Sequence, residues 1–94
     1  MKHPIILCIE DEPDVLNALV NDLGELEDYF PLETAESAAE ARDLLQAIQK
    51  RGDSVGVIFC DHMMTGQKGV DLLIDLQKQS FTRSSRKVLV TAHA

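Results

Sequence analysis

Ile5-Ile6-Leu7-Cys8-Ile9-Glu10-Asp11-Glu12-Pro13 decides the fold: five apolar residues in a row stop at three acids and a proline. A short unbroken apolar run of this kind reads as a strand buried on both faces, which calls for a parallel sheet with helices above and below it. The same design recurs at Val55-Gly56-Val57-Ile58-Phe59-Cys60, which runs straight into Asp61. Two interior strands that both end in carboxylates bring their charge to one end of the sheet.

The intervening segments supply the helices. Pro13 suits a first helical position, and Val15, Leu16, Leu19, Val20 and Leu23 follow at helical spacing, so a first helix is expected over about residues 13–24, with Gly24 near its stop. Residues 29–34 carry aromatic and β-branched side chains and make a short second strand, with Pro31 better suited to an edge than to a centre. Ser37 and Glu40 form a capping box before the apolar stripe Ala38, Ala41, Leu44, Leu45 and Ile48, which ends before Gly52. Val70, Leu72, Leu73 and Leu76 give a third helix to about Gln79, residues 80–86 read as a polar connector, and residues 87–91 make a fourth strand. Strand and helix alternate throughout, so the fold class is α/β, a doubly wound parallel sheet with right-handed crossovers.

Composition bounds the function. The chain has 94 residues, 45% of them apolar, with 9 Lys and Arg against 16 Asp and Glu, for a net charge of 9 − 16 = −7. That is one domain's worth of chain, and its sign argues against a direct grip on nucleic acid or anionic lipid, either of which needs a basic patch. No apolar stretch approaches a membrane span and the start is too short for a signal peptide, so a cytoplasmic chain is expected. Cys8 and Cys60 sit inside the apolar runs without CxxC spacing, as small buried hydrophobes do.

In open parallel sheets, ligands bind beyond the carboxyl ends of the strands, where the strand order reverses. With a flavodoxin-like order of 2-1-3-4, strands one and three are neighbours, and Glu10 and Asp11 face Asp61 across that switch point. Three carboxylates so close repel one another, so one keeps a proton or a cation neutralises them. All-oxygen ligation favours a hard ion, and Mg²⁺ needs only one or two direct carboxylates. A carboxylate is also a competent nucleophile toward a phosphoryl group, and Asp61, at the tip of its strand, is the candidate. Thr91 ends the fourth strand beside it, with a hydroxyl able to donate to a phosphoryl oxygen, and the small Ala92 leaves room. His62 has no second histidine at ligand spacing and reads as a loop residue.

These residues together resemble the receiver domain of two-component response regulators. The resemblance rests on Ile9-Glu10-Asp11-Glu12-Pro13, on Cys60-Asp61 followed by Met64 and by Gly69 eight residues after the acid, and on Val88-Leu89-Val90-Thr91-Ala92. It implies that Asp61 is the phosphoacceptor and that Glu10 and Asp11 hold Mg²⁺ with it. It also implies that the backbone carbonyl of Met63 adds a metal ligand and that Thr91 is the switch hydroxyl. It implies as well a histidine kinase or phosphotransfer protein as donor, and a regulator that at most catalyses its own phosphorylation and dephosphorylation.

Two departures stand out. Thr65 occupies the place where the family usually has proline, which implies a more mobile loop after Asp61. The family continues past a fourth strand with a fourth helix, a fifth strand and a fifth helix. The expectation is therefore that residues 1–94 are a C-terminally incomplete receiver domain, whose phosphate-contacting lysine and switch aromatic would lie beyond Ala94. Lys68 and Lys87 are poor substitutes, Lys68 in a loop and Lys87 at the wrong end of its strand.

A competing class is a non-catalytic interaction module that dimerises through the fourth-strand edge and the sheet face left open beside the first helix. A phosphohydrolase working through an aspartyl phosphate would need a second acid two residues after the nucleophile, and Met63 stands there.

Overall fold

The computed structural model describes residues 3–90. It contains strands β1 (Ile5–Ile9), β2 (Leu32–Ala35), β3 (Val55–Asp61) and β4 (Arg86–Val90) and helices α1 (Pro13–Asp22), α2 (Ala38–Lys50) and α3 (Gly69–Lys78). The strands form one sheet in the order β2-β1-β3-β4, and every pair is parallel. This is the doubly wound, flavodoxin-like arrangement that the alternating apolar runs imply, with four strands and three helices in the described residues.

The sheet separates two apolar layers. On one face Leu7, Ile9, Ile58 and Cys60 pack under α2 and α3, where Ala41, Leu45, Ile48, Leu72 and Leu76 close the core. On the other face Ile6 and Cys8 meet Leu16 of α1, with Leu19, Val20, Val57 and Phe59 partly covered. All five residues of β1 are buried, as expected of a strand covered on both sides. On β3 that expectation holds under α2 and α3 but only partly under α1, because one helix there spans less of the sheet. Each fully buried Leu or Ile contributes about 1.5–3 kcal/mol through removal from water, so the α2 and α3 side carries most of the stability.

Cys8 and Cys60 belong to opposite layers, so they cannot pair although their strands are adjacent. Burial pushes the Cys8 thiol up to about 11 and the Cys60 thiol up to about 12, and both remain free and inert.

Three local expectations are corrected. α1 ends at Asp22, and a 3₁₀ segment over Gly24–Asp28 follows it. That segment captures the next residues: the Tyr29 and Phe30 N–H groups both donate to the Leu26 carbonyl, at 2.9 and 2.8 Å. Pro31 has no N–H for a ladder, so β2 begins only at Leu32, on the edge of the sheet where a nearby proline is tolerated. The third concerns β4, which runs Arg86–Val90, one residue earlier than expected, after a polar connector that is anchored at two points. Thr82 and Ser85 are buried, and their hydroxyls donate to the carbonyls of Leu76 and Val55. The Ser37 cap forms, its hydroxyl accepting the Glu40 N–H at 3.0 Å.

Candidate functional site

The site follows from strand register. Ile9 of β1 lies opposite Cys60 of β3, so the next residue on each strand, Glu10 and Asp61, meet at the carboxyl edge of the sheet. The Glu10 N–H still pairs with the Ala35 carbonyl of β2 at 3.0 Å, which holds its backbone in the sheet while its side chain turns toward β3. Asp61 lies opposite Val90 on β4, and the His62 N–H donates to the Val90 carbonyl at 3.2 Å. Glu10, Asp11 and Asp61 bring carboxylate oxygens within 4.8 Å of one another. Glu10 is 3% exposed and Asp61 8%, while Asp11 is half-buried on the turn into α1.

The electrostatics match that crowding. Burial, a side-chain hydrogen bond to Asp61 and the charge of Asp61 together push the Glu10 carboxyl up to about 7, against an ordinary 4.5. The shift is in the direction expected of three packed acids with no cation between them, toward the neutral form of one. The donor set is all oxygen, with one carboxyl already strained toward neutrality. It fits a hard divalent ion.

The loop between β3 and α3 is built around this cluster. Gly69 has no alternative: a Cβ there would lie 2.0 Å from the carbonyl oxygen of Asp61, and its N–H donates to the His62 carbonyl at 3.0 Å. α3 thereby starts directly against the backbone of the candidate nucleophile. Met64 is buried in the larger core, and Gly66 takes φ +93°, a conformation that favours glycine. Gln67 bridges Arg42 of α2 and Asp75 of α3, at 2.8 and 3.0 Å.

The most informative residue is one that the sequence presented only as a departure. The Thr65 N–H and hydroxyl both donate to Oδ2 of Asp11, at 2.9 and 3.2 Å. Thr65 thus ties the loop across to the end of β1. Nothing in the sequence signals this contact, since it joins residues 54 positions apart.

The remaining expected residues fall as follows. Met63 is exposed on the loop directly after Asp61. His62 is not among the clustered ligand atoms. Lys87 is at the opposite end of β4, where its ammonium donates to the carbonyls of Thr82, Arg83 and Ser85. Lys68 is exposed just before α3. Thr91 and Ala92 lie outside the described residues. The apolar hollow lined by Pro4, Leu26, Phe30 and Val57 lies at the amino-terminal edge of the sheet, away from the acids.

Comparison with known proteins agrees with this layout. The family model for the response regulator receiver domain matches residues 6–94. The chain belongs to the receiver domain family of response regulators. Among solved structures it is similar to a sensor protein from Polaromonas sp. JS666, with 31% identity, a TM-score of 0.76, and 97% of this chain and 67% of that one covered. It is also similar to the MaeR response regulator bound to beryllium trifluoride, with 25% identity, a TM-score of 0.77, and 97% and 69% coverage. The bacteriophytochrome response regulator AtBRR, at 21% identity and a TM-score of 0.82 over 99% of this chain and 69% of that one, shares the fold. No curated protein sequence matches the chain.

Proposed function

We propose that this chain is the phosphoacceptor domain of a two-component phosphorelay, taking a phosphoryl group on Asp61 from a histidine kinase or a phosphotransfer protein and switching a downstream output. The observation that carries the reading is the meeting of Glu10, Asp11 and Asp61 within 4.8 Å at the carboxyl edge of a doubly wound sheet. Residues 1–94 form part or all of one receiver domain, acting in the cytoplasm. No helix of the described residues is long and apolar enough to cross a membrane.

In the transfer, an oxygen of Asp61 attacks phosphorus in line while the bond from phosphorus to the donor imidazole nitrogen breaks. That nitrogen keeps the electron pair and takes up a proton. Attack by water on the aspartyl phosphate later returns the carboxylate and inorganic phosphate. Glu10, Asp11, Asp61 and the Met63 carbonyl would hold Mg²⁺, which supplies neutralisation of charge on the transferring oxygens. Asp61 presents the nucleophile at a fixed point because Gly69 allows α3 to abut its backbone, and Thr91 is assigned the hydroxyl that meets the bound phosphoryl group. The chain is a regulator, with no external substrate to turn over.

A titration of the protein with MgCl₂, followed by amide NMR, tests the site. Saturable shifts confined to residues 10–12 and 61–65, lost in Asp61→Asn, are expected. A wild-type chain with no saturable shift would overturn the reading.

A second reading, a non-catalytic docking or dimerisation module, draws on Val88 and Leu89 of β4, each 39% exposed, and on the apolar hollow of about 220 Å³ at the far edge of the sheet. Light scattering whose mass rises with concentration would support it, and a concentration-independent monomer would count against it.

A further inference from the structure

We infer that Thr65 is a positioning residue for the cation site, its two donors fixing the Asp11 carboxylate in the orientation that serves a bound metal. The inference rests on the reading of Glu10, Asp11 and Asp61 as the Mg²⁺ site.

Asp11 is the least constrained of the three acids. Glu10 and Asp61 are buried and continue strands, whereas Asp11 is half-buried on the bend into α1, outside any regular element. Its own N–H is held by the Glu10 carboxylate at 3.0 Å, which fixes the backbone but leaves the side chain free to swing into water. Among the described residues, only Thr65 donates hydrogen bonds to that side chain, and both bonds go to Oδ2. The other oxygen receives no donor from the described residues and is left for a cation.

Thr65 can fix Asp11 because it is itself held on both sides. Met64 before it is anchored in the core, and Gln67 after it is tied to Arg42 and Asp75. The Arg42 guanidinium also bonds Asp75 directly at 3.1 Å, so α2, the loop and α3 form one braced unit. The donors reach Asp11 from a loop that these contacts tie to both helices.

Two effects oppose each other. Donation to a carboxylate draws charge from it and weakens it as a ligand, while orientation removes the cost of ordering it. Outer partners of metal ligands typically contribute about 10–100-fold to affinity, so orientation dominates.

The test is a graded series measured with MgCl₂ by titration calorimetry on the 94-residue chain. Thr65→Ser keeps both donors and is expected within about threefold of wild type. Thr65→Val keeps only the N–H and weakens binding to an intermediate degree. Thr65→Pro removes both donors and weakens it about tenfold or more. Thr65 is exposed, so the unfolding midpoints of the metal-free Ser and Val variants should stay near wild type, which separates positioning from a merely structural role. Equal Mg²⁺ affinity in Ser and Val variants, or a loss of affinity that only tracks a loss of stability, would overturn the inference. A wild-type chain that binds no Mg²⁺ would instead overturn the underlying site.

Discussion

Burial and the neighbouring Asp61 make the charged form of Glu10 costly, and that has a measurable sign. Its carboxyl sits at about 7 in the folded chain against an ordinary 4.5, so between those values the folded state binds a proton that the unfolded state has lost. The stabilising contribution is whole below about pH 4.5 and is gone above about pH 7. In chelator-treated buffer, the stability of wild type relative to Glu10→Gln should therefore fall as pH rises through this window, by on the order of 3 kcal/mol. Chemical denaturation of both proteins across that range checks it, and a pH-independent difference would contradict it. The three acids were legible in the sequence because each follows an apolar run that fixes where its strand ends. Thr65 was not legible in the same way, because a contact to a residue 54 positions away depends on the tertiary placement of two loops.

At the level of elements, the start of α3 lies so close to the backbone of Asp61 that only glycine fits there. Gly69→Ala would place a Cβ 2.0 Å from a backbone carbonyl oxygen, and neither strand nor helix can retreat without breaking the β3 ladder or the loop. A loss of about 3 kcal/mol is expected in denaturant unfolding, together with weaker Mg²⁺ binding. A Gly69→Ala protein of wild-type stability would show that the junction is looser than the geometry implies. The sequence announced β1 by its unbroken apolar run and α2 and α3 by their periodic apolar stripes, and all three lie within a residue or two of their expected limits. It misplaced the start of β2 because the 3₁₀ turn over Gly24–Asp28 has no periodic signature, yet it claims the N–H groups of Tyr29 and Phe30. The segment before β4 read only as a polar connector. Its Thr82 and Ser85 hydroxyls are satisfied by buried carbonyls, a pairing that only the packed chain reveals.

For the whole molecule, the two layers divide the work. The face under α2 and α3 carries the larger core, and the acids gather at the carboxyl edge where β1 and β3 adjoin. The net charge of −7 is thus partly a property of the site, since three of the sixteen acids converge there. The central claim is that Asp61 accepts a phosphoryl group. The most direct measurement is incubation of the chain with Mg²⁺ and a small phosphodonor such as acetyl phosphate, followed by intact-mass and peptide mass spectrometry. The account predicts a single hydroxylamine-sensitive phosphoryl adduct on Asp61 that requires Mg²⁺ and is absent from Asp61→Asn. An adduct that persists in Asp61→Asn, or a wild-type chain that stays unmodified while binding Mg²⁺, would contradict it.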